Sequence, residues 1–296
     1  MNKSGKGLVT VIIIIAVLCI VFLAAGFMVL SAWGGFDWWD KIPESARNVE
    51  EFNINDMQQA KVSEFTEFEF SSVSADMDIV YADTDTVTVV LSGSYRSSRG
   101  KIKLMKQQLG DSVRIYVDYP KININGLFTW NETHLTITLP QDMRGKELKF
   151  STVSGDVDIP SGIEAESVRA NTTSGDIKAD YLTSYSFEGD SVSGNVDVSG
   201  VIENNVKINT VSGETDIRLA GETESINVGS VSGDVDIILD KVSDFRFKYN
   251  TVSGDMTCDF PVYMNGDKSD KAGYTSEGAD MEVDINTVSG DLSIRH

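Results

Sequence analysis

Aspartates one residue apart recur along this chain: Asp156 with Asp158 and Asp234 with Asp236 are two of the pairs. On an extended strand, residues i and i+2 share a face, so each pair offers hard oxygen ligands to one side, the donor set that calcium takes. These four are the candidate calcium ligands. The competing reading is a solvated outer face on which Asp holds the backbone of its own turn. The chain lacks the G-G-x-G-x-D pattern of the nonapeptide calcium repeats. Other reactive groups are few. His134 stands in an alternating strand and His296 is the final residue, so neither has a partner fixed by spacing. Cys258 occupies a position that is Ile or Val in most related segments, which suits a buried apolar role. We assign no catalytic residue and no cofactor.

The aspartates belong to a phrase that recurs eight times. It reads FEFSSVSADMDI at 68–79, LKFSTVSGDVDI at 148–159, VRANTTSGDIKA at 168–179 and FEGDSVSGNVDV at 187–198, then VKINTVSGETDI at 206–217, INVGSVSGDVDI at 226–237, FKYNTVSGDMTC at 247–258 and VDINTVSGDLSI at 283–294. The first marker serine is Ser74, followed by Ala75. The other seven are each followed by glycine: Ser154 and Gly155, Ser174 and Gly175, Ser193 and Gly194, Ser212 and Gly213, Ser232 and Gly233, Ser253 and Gly254, Ser289 and Gly290. Spacings between successive markers are 80, 20, 19, 19, 20, 21 and 36. Near-equal steps of this size mark a stacked repeat, because one unit is too small to bury its own apolar face.

Within a unit the apolar period is two. Leu148, Phe150 and Thr152 share one parity, and Val153, Gly155, Val157 and Ile159 the other. The switch predicts a corner between two short strands. Glycine at that corner allows either a positive φ or a close approach of the next rung. The expected fold is all-β, a β-solenoid of about 20-residue rungs stacked at about 4.8 Å. Stacking puts Asp156, Asp176, Asn195, Glu214, Asp234, Asp255 and Asp291 in one column, and Asp158, Asp197, Asp216 and Asp236 in a second, interrupted by Lys178. The marker serines lack the G-x-S-x-G context of a nucleophile elbow, and their repetition argues for a structural role in the corner.

On these SGD copies, with HLTITLP at 134–140 leading into LKFSTVSGDVDI, the chain resembles the bacterial toastrack-type β-repeat domains. These are adhesin-labelled domains of unknown function that include proteins of Lia-type envelope-stress operons. The likeness covers about residues 62–296. It implies a membrane-tethered, extracytoplasmic β-solenoid and brings no catalytic residues.

Two intervals depart from the regular step. Residues 80–147 contain TVTVVLSGSYR, KIKLMKQQLGDSVRIYVDY and HLTITLP, and are read as elaborated rungs in preference to a hairpin-rich cap. Residues 261–280 read as an inserted loop or hairpin that caps the final rungs. The last copy, Asp291 to Arg295, is expected to leave an open edge through which a homodimer can form.

At the amino end, residues 8–32 carry no charge, and an apolar helix needs about 20 residues to cross a bilayer. Trp33, Phe36, Trp38 and Trp39 follow, suited to the headgroup layer. Lys3 and Lys6 precede the run while Asp37 and Asp40 follow it, which orients residues 1–7 to the cytoplasm and the rest outside. The alternative is a cleaved signal peptide with Ala32-Trp33-Gly34 as its site. Residues 33–61 are read as a juxtamembrane tether and 62–296 as the repeat domain.

The composition bounds the function. The chain has 296 residues and a formal charge of -20. Only Lys3 and Lys6 are charged in residues 1–32, so 23 basic side chains face 45 acidic ones in the remainder, a net of -22. Such a field repels phosphate backbones, which argues against nucleic acid as a partner. With Cys19 in the apolar run, Cys258 is alone, and neither an intrachain disulfide nor a thiolate zinc site can be built. Two classes remain. One is a single-pass, non-enzymatic envelope protein whose outer domain binds another protein or a wall polymer. The other is an accessory sensor of envelope stress acting through a membrane partner, since about seven cytoplasmic residues hold no signalling domain.

Overall fold

The computed structural model describes residues 50–97, 100–119, 131–242, 244–266 and 269–296. The proposed anchor at 8–32 lies outside them; among the described residues no helix is long and apolar enough to cross a membrane. The described chain is all-β, with one short 3-10 turn at Val62–Glu64.

Each copy of the phrase supplies an upstream strand entering the corner and a downstream strand leaving it. Upstream strands pair in parallel: Val168 lies beside Leu148 and Phe187, Phe187 beside Val206, and Val206 beside Ile226. Downstream strands do the same, Lys178 lying between Asp158 and Asp197, and Asp216 between Asp197 and Asp236. Period-two alternation sends Phe150, Val168, Phe187, Ile208 and Val228 inward from the first set and Val157, Ile177, Val196, Ile217 and Ile237 from the second, all almost completely buried. One continuous apolar core results. Each fully buried side chain of this kind contributes about 1.5–3 kcal/mol relative to exposure. Side-chain size falls along one inward column: Phe70 stacks on Phe150 at 5.3 Å, and Phe150 is followed by Ala170 and then Gly189.

The order of rungs in space is not their order in sequence. The final copy lies inside the stack: Met281–Asn286 pairs with Ser225–Ser232 on one side and Phe245–Asn250 on the other, and Leu292–Arg295 lies between Val235–Leu239 and Met256–Cys258. The open edge expected at Asp291 to Arg295 is therefore occupied, and the outermost rung is Phe245–Cys258. The amino-terminal end repeats the device. Glu67–Ser71 lies between Asp142–Ser151 and Ser112–Asp118, and Asp76–Ala82 between Val157–Ile159 and Asn131–Pro140.

Antiparallel pairs cover the near end and the upstream strand of the far end. At the far end, Tyr263–Gly266 and Asp270–Tyr274 form a hairpin whose second strand covers Phe245–Asn250. At the near end, Lys103–Leu109 covers Ser112–Asp118, Thr86–Ser97 covers Asn131–Pro140, and Glu50–Lys61 pairs along its whole length with Thr86–Ser97. The interval 80–147 thus holds both a rung and a closing layer. The tether read over 33–61 is shortened, because its last twelve residues are an edge strand that buries Ile54 and Ala60.

Candidate functional site

The corner is built from three roles in each copy. Two residues before the marker serine stands a buried hydroxyl: Ser72, Thr152, Thr172, Ser191, Thr210, Ser230, Thr251 and Thr287. In the first four, the hydroxyl oxygen accepts the backbone N–H three residues on, from Ala75 (3.0 Å), Gly155 (3.1 Å), Gly175 (3.0 Å) and Gly194 (2.9 Å). In the later copies that N–H turns to a neighbouring rung: Gly213 N donates to the Ser232 carbonyl, Gly233 N to Ser289 and Gly290 N to Ser253. The corner therefore changes form between Gly194 and Gly213, and three hydroxyls, those of Thr210, Ser230 and Thr287, become buried without a hydrogen-bond partner among the described residues.

The glycines serve close approach. A Cβ on Gly175 would overlap the carbonyl of Gly155, one on Gly194 that of Gly175, and so on through Gly290 on Gly233 and Gly254 on Gly290. Each points toward the near end, so Ala75 heads the column of marker positions. Tyr119 Oη bonds Ser72 and Ser74 there.

The first acidic column acts on the backbone. Asp76 Oδ1 accepts the N–H of Asp156 (3.2 Å), Asp156 that of Asp176 (2.9 Å), and Asp176 that of Asn195 (2.8 Å). Asn195 Oδ1 accepts Glu214 N (2.9 Å), Asp234 accepts Asp291 N (2.8 Å), and Asp291 accepts Asp255 N (2.7 Å). These bonds explain why a short carboxylate or amide recurs: its oxygen reaches one rung further, as an Asx residue does within a turn. The candidate ligands Asp156 and Asp234 are thus engaged in the fold. Asp158 and Asp236 stand in the second column, where Asp236 pairs with Arg295. Lys178 pairs with Asp180 at 2.8 Å, which raises its pKa. Burial, then Asp216 and Asp180, raises the carboxyl pKa of Asp197. Toward the far end the columns border an open groove of about 440 Å³ lined by Glu214, Asp216, Asp234, Asp236, Asp255 and Asp291. Among the described residues no group of three or more His, Cys, Asp or Glu is arranged to hold a metal ion.

All seven marker serines followed by glycine are exposed. The side chains that bond the corner stand two positions earlier. Their signal was present, since every copy carries Ser or Thr there. His134 gains a neighbour that spacing did not reveal, Asp78 at 3.7 Å, beyond hydrogen-bond reach, with both side chains about half exposed. His296 rests on the Phe260 ring. Cys258 continues the inward column of the outermost rung and is half-buried; burial raises its thiol pKa.

The upstream face carries a polar column, Asn171, Asp190 and Asn209, in which Asn209 Nδ2 donates to Asp190 Oδ1 at 2.8 Å. Burial raises the pKa of Asp190. Beside it, burial of Glu188 opposes ionisation, but Lys207 and Arg169 overcome it and hold its pKa below the usual value. Hydrogen bonds from Lys149 and Ser112 do the same for Glu67. A raised folded-state carboxyl pKa withholds stability once the group ionises. Lowered ones add stability above the unfolded pKa and lose it as pH falls through the folded one. Asp190→Asn, which keeps the acceptor for Asn209, is expected to stabilise the protein by about 1 kcal/mol at neutral pH. The gain should shrink as pH falls and the wild-type carboxyl protonates. Thermal unfolding midpoints from pH 7 to pH 4 check this; a gain independent of pH would refute the burial argument.

This stack of SGD corners defines a class. The Toastrack DUF4097 family profile matches residues 65–221 and again 161–295, and the chain belongs to that family. No curated protein matches it by sequence. Among solved structures, a putative cell adhesion protein from Clostridium sporogenes is similar at 13% identity and TM-score 0.40, covering 82% of this chain and 99% of its own. A putative adhesin from Bacteroides fragilis is similar at 11% identity and TM-score 0.43, covering 83% and 97%.

Proposed function

We propose that this chain is a non-enzymatic, membrane-anchored envelope protein whose repeat domain stands outside the cell and acts by binding, in an adhesin-like or structural role. The observation that carries the reading is the use of the acidic column: the carboxylates hold the next rung's backbone, and the corner presents a Ser-Gly-acid step in six of its eight copies along the stack. A regular, elongated, hydroxyl- and acid-bearing surface suits a repetitive partner such as a wall polymer, or a protein that spans several rungs. The uncharged run at 8–32 supplies the attachment.

Protease treatment of intact cells carrying the full-length protein, tagged at its carboxyl end, tests it. The tag should be lost from intact cells, and the full-length protein should be retained by isolated envelope material. A tag that survives until the cells are lysed would refute the topology. Retention that depends on a membrane protein and is lost when residues 8–32 are exchanged for another anchor would favour the accessory-sensor role.

A further inference from the structure

Charge is distributed unevenly in this acidic protein. Between Asp85 and Asp111 there is no acidic residue, while Arg96, Arg99, Lys101, Lys103 and Lys106 all fall in that interval. The fold places the described parts of this segment, 86–97 and 100–110, at the near end. Among the described residues strand Lys103–Leu109 pairs with Ser112–Asp118 alone, and strand Glu50–Lys61 meets it through side chains: Gln58 Nε2 donates to the Leu104 carbonyl (3.1 Å) and Lys106 Nζ to that of Gln59 (2.8 Å). Alternation turns Lys103, Met105, Gln107 and Leu109 outward, opposite Asp118, Tyr116, Arg114 and Ser112 of the paired strand, so one carboxylate shares the face with Lys101, Lys103 and Arg114. Met105 is 39% exposed and Leu109 55%. Lys101 lies over the Phe52 ring at 5.5 Å. Cations beside exposed apolar side chains and a tyrosine make the composition that settles at a lipid headgroup layer.

The chain also enters the fold here. Glu50 pairs with Ser97 and Glu51 with Arg96, so the residues that follow 8–32 arrive beside the basic segment. Residues 33–49 span at most about 60 Å when extended, which keeps this end within reach of the bilayer. We propose that the near end of the stack, through Lys101, Lys103, Met105 and Leu109, docks on the anionic lipid surface next to the anchor. The acidic columns then point away from a surface of their own sign, and the domain stands off the membrane on a defined end. The inference rests on the reading of 8–32 as an anchor.

The test uses full-length protein with vesicles of phosphatidylcholine alone or mixed with phosphatidylglycerol. Flotation reports anchoring, and residue-by-residue acylation reports lysine exposure. We expect flotation with both, and labelling of Lys101 and Lys103 to be about fivefold slower on the anionic vesicles, the factor for a cation held at such a surface. Lys178 and Lys241, remote from this end, should label equally on both. Labelling of Lys101 and Lys103 at equal rates on the two kinds of vesicle overturns the docking surface and leaves the anchor standing. Flotation with anionic vesicles alone overturns the anchor and supports the surface; flotation with neither overturns both. If soluble polyphosphate added to phosphatidylcholine vesicles slows labelling as much as the anionic bilayer does, the surface is a polyanion site and the lipid assignment fails.

Discussion

Gly194→Ala is expected to lower stability by about 3 kcal/mol, the upper range for forcing a methyl group into a packed interior. The added Cβ falls on the backbone carbonyl of Gly175, and a backbone atom cannot turn aside as a side chain can. Relief requires neighbouring rungs to separate, which disturbs the corner bonds of Ser191 and the acceptor role of Asp176 together. Two controls isolate the cause. Gly278→Ala adds a methyl that meets nothing within 4 Å and should stay within about 0.5 kcal/mol of wild type. Ala75→Gly, at the head of the column, should cost only about 1 kcal/mol through lost burial and added backbone freedom. Denaturant midpoints of the three variants decide the matter; Gly194→Ala unfolding with Gly278→Ala would show that rung spacing does not depend on this column.

The second large effect comes from deletion. In a stack built strictly in sequence order, removing the last copy sacrifices a single interface. Here, removing Met281–His296 withdraws the rung between Ser225–Leu239 and Phe245–Cys258, and the hairpin at 263–274 loses the strand it covers as an ordered partner. The expected result is rapid proteolysis throughout residues 240–280 and a lower, broader unfolding transition. Deleting Phe245–Asp280 instead takes away the outermost rung with its hairpin and brings Ser289 to 21 residues after Ser232, a spacing already present in the chain. That larger deletion should leave the remaining stack folded and resistant. Equal protease sensitivity of the two would contradict the intercalated order.

The contrast shows where sequence reasoning succeeds and where it stops. The corner is legible because its needs are local: a hydroxyl, a glycine without Cβ and a short acid recur at fixed offsets, and the change of parity at Ser151 marks the bend. Rung order is not local. Val283 fits beside Ile226 as well as Phe247 would, since all three lead into the same corner phrase, and nothing within a copy states which neighbour it will meet. Strand Glu50–Lys61 escapes detection for another reason. Asp56 and Gln58 hold positions on its inward face, where they bond Leu104 instead of adding apolar surface, so the alternation is broken. The acidic columns are legible as columns, but the acceptor role of each Oδ1 depends on the stagger between rungs, which the repeat length alone does not give.

Intercalation at both ends also bears on how such a protein changes length over evolutionary time. A unit of about twenty residues duplicated within Asp142–Leu239 meets copies of the surfaces it already matched, and lengthens the column by about 4.8 Å without touching either closure. The same unit appended beyond Arg295 or placed ahead of Glu67 finds both neighbouring positions taken. Growth by recombination is therefore confined to the middle of the chain, and relatives of different length should differ there while keeping both ends alike.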